Sequence, residues 1–167
     1  SQIIAVELDP AWIALKRKYS LAKGPLPLEK IRYIAGDGRR FIKSTSQKFD
    51  VILHALPEPN TLLLNRYFTV EFFGEVKRIL RPEGIFSMQL PGMANYLSED
   101  LTRLTGSIQK SLDQSFSYSV RLPLETTHLI ASESFRNLTH RSEDFLIALK
   151  KRPIETLYFN SSYLPYY

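Results

Sequence analysis

Ile3-Ile4-Ala5-Val6-Glu7-Leu8-Asp9-Pro10 takes the chain out of a strand and into a helix. Ile3 to Val6 is a short continuous apolar run, the pattern of a strand covered on both faces. It stops at Glu7. Asp9 is a good N-cap, and Pro10 suits the first helical position, where no N–H is needed. An acidic side chain therefore stands at the carboxyl end of a buried strand, just ahead of a helix. In open α/β sheets ligands bind at that edge, and a carboxylate there accepts hydrogen bonds from a ribose diol. A carboxylate that merely ends the strand is the competing reading of these residues.

Outward from this stretch, the spacing predicts strands alternating with helices. Trp12, Ile13, Leu15 and Tyr19 give an amphipathic helix with Lys16, Arg17 and Lys18 late in it, where the macrodipole favours cations. Lys23-Gly24-Pro25-Leu26-Pro27 reads as loop. Ile31 to Ala35 reads as a second strand ending at Gly36-Asp37-Gly38, followed by a helix from Arg39 to about Thr45. A third strand runs from Phe49 to Leu53, and two prolines make His54 to Asn60 a loop. Thr69 caps a helix carrying Phe72, Phe73, Val76, Ile79 and Leu80 on one stripe, stopped by Pro82-Glu83-Gly84. A fourth strand spans Ile85 to Leu90, and a helix spans Ser98 to about Gln114. Tyr118 to Leu122 and Thr127 to Ser132 read as a strand pair, and Ser142-Glu143-Asp144 starts a last helix. The expected fold class is α/β: a mostly parallel sheet with helices on both faces and a C-terminal antiparallel strand pair.

At 167 residues the length fits one domain, and an apolar content of 44% is ordinary for a globular chain. With no cysteine, disulfides, thiol catalysis and thiolate metal sites are excluded. No His/Asp/Glu grouping has metal-ligand spacing, so no metal is expected. The net charge of +5 is spread over short clusters, which favours a solvated basic surface over nucleic-acid binding. The chain begins with Ser, enters a strand at once and ends on an aromatic tail, the pattern of an excised piece.

Several ordered motifs resemble the spermidine synthase family of polyamine aminopropyltransferases. They are Glu7-Leu8-Asp9, Ala35-Gly36-Asp37-Gly38-Arg39-Arg40-Phe41, Lys48-Phe49-Asp50-Val51-Ile52, Phe68-Thr69-Val70-Glu71-Phe72-Phe73, and Val76 through Gly84 with Gln89. The resemblance covers roughly Ile3 to Ser132 and implies the Rossmann-like fold of class I S-adenosylmethionine-dependent methyltransferases. It implies a catalytic domain over 1–152, a C-terminal extension over 153–167, and a cytoplasmic location. Pro57-Glu58-Pro59 with Asn65-Arg66-Tyr67-Phe68-Thr69 is more similar to domains fused to membrane segments, so a soluble domain of a membrane protein stays open, as does a homodimer.

The resemblance also implies roles. Glu7 matches the residue that holds the ribose hydroxyls, and Asp37 the one that accepts from the adenine amino group. Gly36 and Gly38 let the backbone approach the base. Gln89 matches a residue lining the amine site. The implied reaction moves an aminopropyl group from decarboxylated S-adenosylmethionine to a polyamine precursor such as putrescine. The family's Asp-x-x-Asp-Pro loop departs here: Ala55 stands at the first aspartate and Glu58 at the second. Alanine takes no proton, so Glu58 becomes the candidate catalytic and substrate-binding carboxylate, with His54 beside it. The family's first strand and glycine-rich loop also have no counterpart in these residues. Binding of decarboxylated S-adenosylmethionine or S-adenosylmethionine is expected only if that loop exists upstream. In its place the sheet closes directly, a second chain fills the gap, or further residues supply it, because open buried edges cost several kcal/mol. A methyltransferase and a catalytically inert nucleoside-binding or regulatory domain are the alternatives.

Overall fold

The computed structural model describes residues 2–19, 30–91, 99–123, 126–139 and 141–151. The loop expected at 23–27 and the extension at 153–167 lie outside the described residues. The chain divides into two compact units, Ser1–Ser46 and Gln47–Tyr167.

The first unit contains β1 (Ile3–Glu7), α1 (Pro10–Tyr19), β2 (Ile31–Ala35) and α2 (Gly38–Ser44). β1 and β2 pair in parallel, from Ile3 opposite Ile31 to Glu7 opposite Ala35. Parallel neighbours need a crossover, and α1 lies on it. Its start is fixed as Asp9 predicts: Oδ1 accepts from the Ala11 N–H at 2.8 Å, and the Asp9 carbonyl accepts from Trp12 N–H at 3.2 Å. Ile13 is the residue α1 buries.

The second unit contains β3 (Phe49–His54), α3 (Leu62–Asn65), α4 (Val70–Ile79), β4 (Leu80–Pro91), α5 (Glu99–Ser115), β5 (Tyr118–Pro123), β6 (Thr126–Ser132) and α6 (Ser142–Lys151). Its sheet has the order β3-β4-β6-β5. β3 pairs with β4 in parallel, and both ladders of β6 are antiparallel, so the expected terminal hairpin is present within a mixed sheet. Alternation sends Phe86, Met88 and Leu90 of β4 to the same side as Leu129 and Ala131 of β6. These residues are buried, as are Phe72, Phe73, Val76 and Ile79 of α4 and Ile108 and Leu112 of α5. Each large side chain removed from water contributes about 1.5–3 kcal/mol. α4 starts where Thr69 Oγ1 accepts from Phe72 N–H at 3.3 Å.

Two local features differ from the sequence expectation. The fourth strand begins at Leu80, not Ile85, and runs through the residues read as stop signals. The ladder there is interrupted: Phe49 pairs with Leu80, and Val51 next pairs with Ile85. Arg81 to Gly84 bulge out between these pairs. Position 84 is tight: a Cβ there would stand 3.0 Å from the carbonyl oxygens of Arg81 and Phe49, which would have to give way. The second feature is α3, a single turn inside the long connection after the third strand. Thr61 caps it, accepting from Leu64 N–H at 3.2 Å.

Among the described residues β1 pairs only with β2, and β3 only with β4. The ladder hydrogen bonds on offer at each strand are set by the neighbour it has.

Candidate functional site

In the first unit the two parallel strands end side by side. Neighbouring strands lie about 4.8 Å apart, and Glu7 stands opposite Ala35 at the last rung. One further backbone bond ties the tips together: Gly36 N–H donates to the Glu7 carbonyl at 2.9 Å. The backbone of Gly36 has φ +152°, outside the range that side-chain-bearing residues ordinarily adopt. This turn brings the chain into Asp37, one residue before α2.

Both carboxylates are half-buried at this edge. Glu7 Oε1 accepts from the Asp9 N–H at 3.3 Å, and Asp37 Oδ1 accepts from the Arg40 N–H at 2.9 Å. Asp37 is thus the N-cap of α2. Its side chain has a structural task that the sequence reading, which began the helix at Arg39, did not assign to it. Gly38 is the first helical residue, with open space where a Cβ would stand. The arrangement places two acceptor groups at adjacent strand ends, Glu7 at the end of β1 and Asp37 in the turn after β2. Such a pair suits a ligand with several donor groups, such as hydroxyls and an amino group.

Glu58, Gln89, His54 and Ala55 belong to the second unit. β3 ends at His54, and the loop that follows is drawn tight by Asn60 N–H donating to the Glu58 carbonyl at 2.8 Å. The Glu58 and Ala55 side chains are exposed. On β4, Gln89 is exposed and stands opposite His128 of β6. His54, the last residue of β3, pairs with Met88, the residue before Gln89 on β4. The position at which the resemblance places a catalytic aspartate follows the end of β3 and holds a methyl group.

His54 is turned the other way. It is 7% exposed and packs edge-on against Phe68 and Phe72, with ring centroids at 5.0 and 5.8 Å. Tyr67 and Phe86 complete its surroundings at 6.2 Å each. Neither ring nitrogen has a hydrogen-bonding partner. Desolvation lowers its pKa to about 4, partly offset by a contact with its own backbone. It is a neutral packing residue at neutral pH, and no candidate base.

At the opposite, amino end of β3 and β4 lies a shallow cavity of about 340 Å³, bordered by Lys48, Lys77, Arg81 and Glu133. Its cations are engaged: Lys77 with Glu133 at 3.0 Å, Lys48 with the Arg78 carbonyl at 2.5 Å, and Arg81 with Asp50 at 3.3 Å. Burial pushes the Glu133 carboxyl up, but hydrogen bonds from Lys77 and Ser117 outweigh it and hold the pKa below the ordinary value. This is a structural brace. Among the described residues no three potential ligands cluster as a metal site, and no helix is long and apolar enough to cross a membrane.

The spermine/spermidine synthase domain profile matches residues 1–142. A polyamine aminopropyltransferase of Oceanobacillus iheyensis is 37% identical over 92 residues, covering 53% of this chain and 18% of that protein. The chain thus spans a small part of the curated relatives it matches. Among solved structures, a spermidine synthase in complex with the transition-state analogue AdoDATO superposes with a TM-score of 0.68 at 18% identity, covering 99% of this chain and 55% of the other. Human methyltransferase-like protein 13 in complex with SAH gives 0.67 at 20% identity, covering 97% and 78%. At these identities the structural likeness shows the fold, Rossmann-like and of the methyltransferase type.

Proposed function

Because the chain belongs to the spermine/spermidine synthase domain family, we propose that it carries the nucleoside half of an aminopropyl-transfer site. The observation that carries this reading is the pair of carboxylates at the adjoining tips of β1 and β2, Glu7 and Asp37. In it, Glu7 accepts from the ribose hydroxyls of decarboxylated S-adenosylmethionine. Asp37 accepts from the adenine amino group while its other oxygen keeps the cap of α2. The turn at Gly36 brings backbone close to the base.

The chemistry is a displacement. The acceptor amine forms a bond to the aminopropyl carbon attached to sulfur, the carbon–sulfur bond breaks, and the electron pair stays on sulfur as a neutral thioether. The new secondary amine carries the surplus proton, which passes to a base or to water. With alanine at position 55, Glu58 is the carboxylate of this loop that takes the proton and holds the cationic amine. A positioned base contributes on the order of a hundredfold or more, so transfer at this site is slow compared with one that has two aspartates.

The exposed methyl group of Ala55, where the family carries an aspartate, favours a second reading, in which the domain binds the nucleoside and does not turn it over. Incubation of the protein with decarboxylated S-adenosylmethionine and a panel of diamines separates the two. Release of methylthioadenosine in step with a new polyamine supports transfer. Nucleoside binding without product across the panel supports the inert reading.

A further inference from the structure

The described helix α1 buries one side and leaves the other uncovered. Ile13 is 7% exposed, whereas Trp12, Leu15 and Tyr19 are 51%, 46% and 59% exposed, and Leu8 just ahead of the helix is 72% exposed. At about 100° per residue, Trp12, Leu15 and Tyr19 fall within one narrow stripe. Cations border it: Lys16 Nζ lies 5.5 Å from the Trp12 ring centroid, and Lys18 Nζ lies 5.4 Å from that of Tyr19. The run Lys16-Arg17-Lys18 has no acidic residue on the same helix to offset it.

We propose that this stripe is a peripheral docking surface for an anionic lipid bilayer. Two features select that occupant. Tryptophan and tyrosine have apolar bodies and a polar tip, which suits them to the headgroup level of a membrane, and long lysine stems let the ammonium stay in water while the methylenes are buried. The cations then face the negative charge of the lipid headgroups, a complementarity that a neutral partner does not offer. Val51 and Leu53, exposed on β3, have no cation on their own strand. A helix of ten residues with one narrow stripe gives weak, reversible, salt-sensitive attachment.

Trp12 is the chain's single tryptophan, so its fluorescence reports on the proposed surface directly. The protein is titrated with vesicles of phosphatidylcholine alone and of phosphatidylcholine mixed with phosphatidylserine. The expected result is a blue shift and co-sedimentation with the mixed vesicles only, reversed by high salt. The double variant Lys16→Ala/Lys18→Ala keeps the fluorophore and is expected to lower partitioning by roughly 25-fold, about fivefold per cation. No shift with anionic vesicles overturns the proposal. So does an equal shift with neutral vesicles, undiminished binding by the double variant, or a shift that follows protein concentration without lipid, which assigns the stripe to a protein contact.

Discussion

Acidification should weaken the second unit through His54, and replacing that residue with phenylalanine should remove the effect. The imidazole sits among Tyr67, Phe68, Phe72 and Phe86, and both of its nitrogens lack partners. At the edge of this cluster the Arg66 guanidinium lies 4.7 Å from the Tyr67 ring centroid and donates to the Tyr67 hydroxyl at 2.8 Å. The folded chain binds a proton at His54 only below about 4, while the unfolded chain binds it below 6.5. Stability from the neutral imidazole is therefore fully present above pH 6.5, declines as pH falls through the window, and is lost below about 4. The displacement corresponds to about 3 kcal/mol, a large share of the ~5–15 kcal/mol that separates folded from unfolded chains. Urea unfolding of wild type and His54→Phe at several pH values between 7 and 4 isolates this contribution, because carboxylate effects common to both proteins cancel. The stability difference should move in favour of the variant by about 3 kcal/mol from pH 7 to pH 4. Parallel curves for the two proteins would refute the reasoning.

Three further outcomes follow from single residues. Asp37→Ala should cost about 1 kcal/mol of stability by uncapping α2, and Asp37→Ser should restore most of it; thermal melts of the two variants check this. Glu58→Gln should lower any aminopropyl-transfer rate by about a hundredfold while leaving the unfolding midpoint in place, since the Glu58 side chain is exposed. Gly84→Ala should destabilise by about 1–3 kcal/mol, measured by urea unfolding, because the added methyl meets two carbonyl oxygens at 3.0 Å.

Much of this architecture was readable from local chemistry. The capping roles of Asp9 and Thr69, the apolar stripe of Phe72, Phe73, Val76 and Ile79, and the hairpin of β5 and β6 are each set by residues near one another in sequence. The bulge at Arg81 to Gly84 was not readable, because it depends on what Phe49 pairs with, some thirty positions earlier. α3 was hidden by two prolines just ahead of it, although Thr61 before three leucines carried a capping signal. For the site, the alternation of apolar runs and acidic ends located Glu7 and Asp37 at strand tips. The capping role of Asp37 was not readable, since a helix beginning one residue earlier turns a loop carboxylate into a cap. The inward turn of His54 follows from strand parity with Met88, which only the register reveals.

The account's central claim is that the adjoining tips of β1 and β2 hold a nucleoside by its donor groups. Calorimetric titration of decarboxylated S-adenosylmethionine into the protein, into Glu7→Gln and into Asp37→Ser tests it most directly. Removing a charged acceptor from a hydrogen bond costs about 1.5–3 kcal/mol, so each variant should bind at least about tenfold more weakly with its fold intact. Affinity unchanged in both variants would contradict the claim.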